Sequence, residues 1–240
     1  MLYYISVFNG DSILIPSKKC LVIKLTGKIF DEKDLLVKYV QIFREIVERY
    51  RLAIITGGGK LARTYIGLAK ELGVNNNYWL DQIGTYSSRL NSLLLISALQ
   101  PYTCPEPIRN LEDVIRNIRE YEIVVLGGLI PGQSTAAVAI EVAEAIGANN
   151  LINVAAVDHV YNRDPRKYRD AKKYKEINAS ELIRILEQKP LPGEYALVDR
   201  KALELAIRSN IVIHLMYYKK PEDVFAILNG ENPGTIIYPR

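Results

Sequence analysis

Residues 52–60 read L-A-I-I-T-G-G-G-K, an uncharged apolar run that ends in three glycines and a lysine. Leu52 to Thr56 make a strand of the buried type, and Gly57-Gly58-Gly59 end it abruptly. Lys60 to Leu72 then carry helical spacing, with Gly73 as the C-terminal cap. A strand that passes through glycines into a helix is the first half of a parallel βα unit. Glycine lets the backbone approach an anion closely, and the amide N–H groups at a helix start donate to its oxygens.

The same order recurs on both sides. Cys20 to Leu25 is a strand ending at Thr26-Gly27-Lys28, and Asp31 to Arg49 follow with apolar residues at Leu35, Leu36, Tyr39, Val40, Phe43, Ile46 and Val47. Glu122 to Leu126 ends at Gly127-Gly128 and leads to an alanine-rich helix over 134–146, closed by Gly147. Leu151 to Val157 ends at Asp158, and Ile211 to Met216 is a fifth strand. Helices are expected over 81–98, 180–188, 200–209 and 221–228. Before all of these, Leu2 to Ile15 reads as two short strands around Asn9-Gly10, a hairpin signal. Alternating strands and helices predict an α/β fold, a three-layer αβα sandwich around a mostly parallel sheet. Ligands of such sheets sit outside the carboxyl ends of the strands, where these four polar or glycine-rich ends converge.

Bulk properties narrow the function. The chain has 240 residues, 49% apolar and 24% charged, enough for one large or two small domains. A net charge of +4 is too small to imply nucleic-acid binding. The basic run Arg163, Arg166, Lys167, Arg169, Lys172, Lys173 and Lys175 is interrupted by Asp164, Asp170 and Glu176 and reads as a solvated face. Cys20 and Cys104 form neither a metal motif nor a disulfide framework, which fits a cytoplasmic location. Residues 1–19 are broken by Asn9-Gly10-Asp11 and Pro16, so neither a signal peptide nor a membrane span is expected there.

Each strand end carries chemistry. Lys24 would bring one positive charge to a transferring phosphoryl group, beside the anion-binding backbone of Thr26, Gly27 and Lys28. Gly57 to Ala62 also fits a loose G-x-G-x-x-A dinucleotide fingerprint with Asp81 as the ribose acid, but Asp81 follows Tyr78-Trp79-Leu80 at a helix start instead of ending a strand. No G-x-x-x-x-G-K-[ST] loop is present. Arg63, one turn into its helix, is placed to grip a phosphate. Gly127 to Thr135 is the most informative loop: glycines and Pro131 fix its path, and Gln133, Ser134 and Thr135 open a helix of small residues. These hydroxyls serve as helix caps or face a ligand. Asp158 would hold a lysine in place or reach Mg²⁺ through water. Tyr161 and Asp164 would meet a base or ribose, while 162–165 also reads as a simple turn. His159 reads as a packing or surface residue and His214 as a structural one, and no metal-ligand cluster is evident.

With these loops placed, the chain resembles the amino acid kinase superfamily and, within it, the archaeal type of UMP kinase. The resemblance runs from about Cys20 to Arg240 through K-L-T-G-K-I-F-D (24–31), T-G-G-G-K-L-A-R (56–63), L-D-Q-I-G-T-Y-S-S-R-L-N (80–91), G-G-L-I-P-G-Q-S-T-A-A-V-A (127–139), V-D-H-V-Y-N-R-D-P (157–165) and D-R-K-A-L-E-L-A-I-R-S (199–209). It implies one domain over 20–240 preceded by an extension over 1–19. The acceptor part would reach to about residue 150 and the ATP part would follow from about 151. It implies transfer of the ATP γ-phosphoryl group to UMP, with Mg²⁺ carried mainly by the ATP phosphates. Lys24 and Asp158 would be catalytic. Thr26, Gly27, Lys28, Gly58, Gly59, Arg63, Tyr161 and Asp164 would bind ATP. Gly58, Asp81, Leu129, Ile130, Pro131, Gly132, Gln133, Ser134 and Thr135 would bind UMP. The family implies a homo-oligomer, a hexamer built as a trimer of dimers.

Ala155, Ala156 and His159 depart from the family's usual T-N-V-D-G-V-Y, which removes two polar contacts to ATP and places a side chain where glycine would turn freely. These departures keep open a catalytically weak nucleotide-binding protein with a regulatory or assembly role. A kinase for another small acceptor is a third reading, which the 127–139 segment disfavours.

Overall fold

In the computed structural model, residues 3–8, 11–16, 18–163, 165, 168–188 and 198–240 are described. Strands β1 (Tyr3–Phe8) and β2 (Asp11–Pro16) pair antiparallel, with Phe8 opposite Asp11. The expected turn at Asn9-Gly10 lies outside the described residues. β3 (Lys19–Leu25) leads through a 3₁₀ turn (Gly27–Asp31) into α1 (Lys33–Ile46), β4 (Tyr50–Thr56), α2 (Gly59–Glu71), α3 (Asn77–Ala98), α4 (Leu111–Glu120) and β5 (Ile123–Leu126). Then come α5 (Thr135–Ala145), β6 (Asn150–Ala155), β7 (Val160–Tyr161), β8 (Lys173–Tyr174) and β9 (Glu176–Asn178). The chain closes with α6 (Ala179–Gln188), α7 (Arg200–Ser209), β10 (Val212–Tyr217), α8 (Asp223–Leu228) and β11 (Thr235–Tyr238).

Seven strands form the central sheet in the order β5-β4-β3-β6-β10-β11-β9. The first five run parallel, so their carboxyl ends share one edge; β11 reverses against β10, and β9 lies parallel to β11. Register sets Lys24 between Ile55 of β4 and Asn153 of β6.

Both faces of the sheet are apolar because both are covered, as a parallel sheet requires. Alternation along each strand divides the side chains between two cores. Val22, Ala53, Ile55, Val124 and Leu126 face the layer built from α4, α5, α6 and α7. Leu21, Ile23, Leu25, Leu52, Ile54 and Val125 face α1, α3 and α8. Fully burying one such Leu, Ile or Val stabilises the fold by about 1.5–3 kcal/mol. No helix among the described residues is long and apolar enough to cross a membrane.

The expected α/β sandwich is present, with differences at the element ends. α3 starts at Asn77 instead of Asp81, because the Asn76 side chain accepts from the Tyr78 amide at 2.8 Å and caps it there. Asp81 therefore lies inside the helix. β6 stops at Ala155, which leaves Ala156, Val157 and Asp158 in the loop. α4, β9 and β11 go beyond the elements expected from sequence.

Candidate active site

The ends of β3 and β4 form one interlocked unit. The Gly57 amide donates to Leu25 O at 3.0 Å, and the Thr26 amide donates to Val154 O at 3.0 Å, tying in the end of β6 as well. Gly27 lies directly against Gly58-Gly59: a Cβ added to it would fall 2.0 Å from the Gly59 nitrogen. Gly59 has φ +62° and leaves no more room, since its own added Cβ would fall 2.3 Å from Gly27 O. This pair therefore needs glycine for two reasons, close backbone approach and left-handed backbone. Lys28 sits half-buried in the 3₁₀ turn. Arg63, 59% exposed, stands 3.6 Å from the Asp31 carboxylate, which also accepts from the Lys60 amide at 3.3 Å.

α3 holds the neighbouring loops through an unusual polar face. Thr56 Oγ1 donates to Ser88 O and lies 2.8 Å from Ser92 Oγ, while Asn91 donates to Gly57 O at 2.7 Å. Ser88 Oγ accepts from the Gly128 amide at 2.8 Å. Arg89 donates to the Gly128 and Leu129 carbonyls at 3.1 and 2.8 Å. Gly127 is pressed so closely to this helix that an added Cβ would fall 2.6 Å from Ser88 Oγ. Buried hydroxyls and amides of this kind must be satisfied, and here they are satisfied by the strand-end loops they fix in place.

Between α3 and the start of α5 lies a cleft of about 440 Å³, a size suited to a small ligand. Asp81, Gly132, Gln133, Ser134 and Thr135 line it, as does Gly128. Leu129 is half-buried against the core and Ile130 is exposed; with Pro131 they continue the same loop outside the lining. Gln133 donates to Glu141 at 2.5 Å, and Ser134 caps α5 by accepting from the Ala137 amide at 3.0 Å. Gly84, Thr85 and Ser88 also line the cleft and were not singled out from sequence. The signal was present: with Asp81 they repeat at helical spacing along one face of α3.

Beyond β6, Asp158 accepts from the Tyr161 hydroxyl at 3.0 and 3.2 Å and lies 3.0 Å from His159 Nδ1. Burial works to raise the Asp158 pKa, but the hydrogen bonds from His159 and Tyr161 outweigh it and hold the carboxyl below its ordinary value. Burial lowers the His159 pKa, so the ring is neutral at pH 7, with Nδ1–H donating to the carboxylate. His159 is only 4% exposed. Its backbone is not left-handed, since Asn210 is the one non-glycine with positive φ among the described residues. The glycine-favouring turn feared at this position is therefore not required. Ala155 is buried at the end of β6, where its carbonyl accepts from the Tyr218 amide. Asp164 lies outside the described residues.

Burial pushes the Lys24 ammonium down to a pKa of about 8, and the negative charge of Asp199 works against that fall. Asp199 also accepts from the Ser134 hydroxyl of the cleft. Asp199 thus ties the start of α7 to the cleft, whereas the oxygens of Asp158 are engaged within its own loop. Asp199 was quoted in a motif but given no role from sequence. Its signal was that of a helix cap, which hides a second use. His214 lies 3.1 Å from Asn150 Oδ1 across the β10–β6 pair.

Comparison with known proteins gives a consistent picture. A profile of the Amino acid kinase family matches residues 19–217. The chain is 59% identical to the uridylate kinase of Staphylothermus marinus over 220 residues, 91% of this chain and 98% of that protein. It is 44% identical to the uridylate kinase of Pyrobaculum calidifontis over 90% of this chain and 99% of that one. Among solved structures, the uridylate kinase of Archaeoglobus fulgidus superposes with a TM-score of 0.82 at 32% identity, covering 91% of this chain and 99% of that one.

Proposed function

The chain belongs to the amino acid kinase family, and from that premise we propose that it transfers the γ-phosphoryl group of ATP to UMP, giving UDP. The observation that carries the reading is the α3–α5 cleft itself, whose lining residue Ser88 binds the Gly128 amide of one strand-end loop and accepts from Thr56 at the end of β4. UMP occupies the cleft, held by Gly58, Asp81 and residues 129–135. ATP lies over the ends of β3, β4 and β6, with Thr26, Gly27, Lys28, Gly58, Gly59 and Arg63 at its phosphates. Tyr161 and Asp164 meet its nucleoside.

The acceptor oxygen belongs to a phosphate monoester, whose second pKa is about 6, so it is ionised at neutral pH. No general base is then needed. Catalysis rests on alignment and on charge stabilisation, with Lys24 placed to meet the charge that develops on the transferring group. Asp158 orders its loop through Tyr161 and His159. No group of three or more metal-ligating side chains occurs among the described residues. Mg²⁺ would be carried on the triphosphate, where it offsets phosphate charge.

The direct test is ADP formation from Mg²⁺-ATP with a panel of nucleoside monophosphates. UMP is expected to exceed AMP and GMP in kcat/KM by about 10²-fold or more, since a site that hydrogen-bonds its base rejects others strongly. Equal turnover of all acceptors, or turnover of none, would remove the assignment.

The reading extends to assembly and location. Tyr86, Leu90, Leu93 and Leu94 are exposed along α3, beside an apolar groove shared with α1. This face supports a subunit contact in a hexamer built as a trimer of dimers. Light scattering is expected to report that assembly, and a monomer mass would exclude it. The free thiols Cys20 and Cys104 fit a cytoplasmic location.

A further inference from the structure

The loop after β5 is held by α3 at successive points. The Gly128 amide donates to Ser88 Oγ at 2.8 Å. The Gly128 carbonyl then accepts from Arg89 Nε at 3.1 Å, and the Leu129 carbonyl accepts from Arg89 Nη2 at 2.8 Å. A peptide unit is planar, so each of these bonds fixes one plane. The planes 127–128, 128–129 and 129–130 are therefore all set by two neighbouring residues of one helix. The ring of Pro131 then locks its φ, and Gly132 turns the chain at φ +76°. Gln133, Ser134 and Thr135, which follow, form a wall of the cleft.

Arginine suits this task. Nε and one Nη of a guanidinium lie on one edge and donate in parallel, which a lysine ammonium does not reproduce. The guanidinium also lies 5.4 Å from the centre of the Tyr86 ring, which steadies it. Thr85, Ser88 and Arg89 share one helical face, and Thr85 and Ser88 line the cleft. The loop comes this close because it carries no side chain there: a Cβ on Gly127 would fall 2.7 Å from the Arg89 nitrogen. Arg89 itself is not among the lining residues, so its effect on a ligand passes through the loop.

We infer that Arg89 is a positioning residue for the phosphoryl acceptor, clamping the Gly128 and Leu129 carbonyls and so placing the 132–135 wall of the α3–α5 cleft before the acceptor arrives. The inference rests on the reading of that cleft as the acceptor site. A wall already in place spares the ligand the ordering of a loop. Without the clamp the acceptor must order the loop itself, so its affinity falls while the ATP side is left as it was.

Arg89→Met keeps the long apolar stem and removes the donors. Its KM for UMP, and its Kd for UMP measured by calorimetry without ATP, are expected to rise about 10- to 100-fold, the scale of losing hydrogen bonds to a charged group. Its KM for ATP should not change. Hydrogen exchange read by mass spectrometry should be faster in the peptide that holds Gly128 and unaltered in those that hold Gly27 and Gly58. Arg89→Lys, which retains the charge without the fork, should fall between the two proteins, and it decides the matter if Arg89→Met does not fold. Either the UMP constants or the Gly128 exchange left unmoved would overturn the inference, as would an equal rise of both KM values. If the unsubstituted protein binds no nucleoside monophosphate while Arg89→Met still frees Gly128, the kinase reading fails and the clamp on the loop stands.

Discussion

Lys24→Met is expected to lower kcat by about 10²–10³-fold, the loss seen when one preorganised stabilising donor is removed from a transition state. The same substitution should not weaken the fold. Lys24 has its pKa lowered from 10.5 to about 8, so the folded protein binds that proton less tightly than the unfolded chain does. At pH 7 both states carry the charge, and burying it costs about 3 kcal/mol at 1.36 kcal/mol per unit. That cost is fully present below pH 8. It fades as pH rises from about 8 towards 10.5, where the folded state has released the proton and the unfolded chain still holds it. Methionine keeps a long unbranched side chain and removes the charge. The variant should therefore melt at or above the temperature of the unsubstituted protein at pH 7, with the difference shrinking at higher pH. A fast, normally active Lys24→Met protein would show that another group supplies the charge. This is a trade of stability for activity at a single residue.

Gly27→Ala carries the second large effect, this time on both fold and activity. The new methyl would fall 2.0 Å from the Gly59 nitrogen and 2.3 Å from its Cα, so the obstruction is backbone and no side chain can swing away. Overpacking of this kind costs about 1–3 kcal/mol or more. The loops at the ends of β3 and β4 must part, which also displaces Thr26, Gly58 and Gly59 from the proposed phosphate path. Gly67→Ala is the matched control. It lies within α2 and an added Cβ there meets nothing within 4 Å, so it should stabilise by about 0.5–1 kcal/mol. Urea unfolding and turnover of both variants test the comparison. Equal midpoints would mean that the two loops are not locked together.

Much of this architecture was legible because parallel strands in a covered sheet advertise themselves. β3, β4, β5, β6 and β10 are apolar runs that stop at glycine, at an acid or in a turn. β9 and β11 were missed because strands of three and four residues hold too few alternations to stand out from a loop. α4 was legible and passed over: Asn110 caps it, and Leu111, Val114 and Ile118 give its buried stripe. At the site, Asp81 and residues 132–135 do share one cleft. The Ser134 partner of Asp199 was not legible. Side-chain hydrogen bonds between distant segments depend on how the strands are ordered in the sheet, and periodicity carries no information on that order.

The division of the interior into two cores has a consequence for synthesis. A ribosome that has delivered β3, β4 and β5 has also delivered α1 and α3, the main helices of one face. The centre of the other face waits for α5, and β6 must still join β3 along its open edge. Until residue 145 emerges, Val22, Ala53 and Ile55 lack the helix that covers them. The nascent chain is therefore lopsided, with one finished side and one sticky side, through the very interval in which the acceptor cleft is being made.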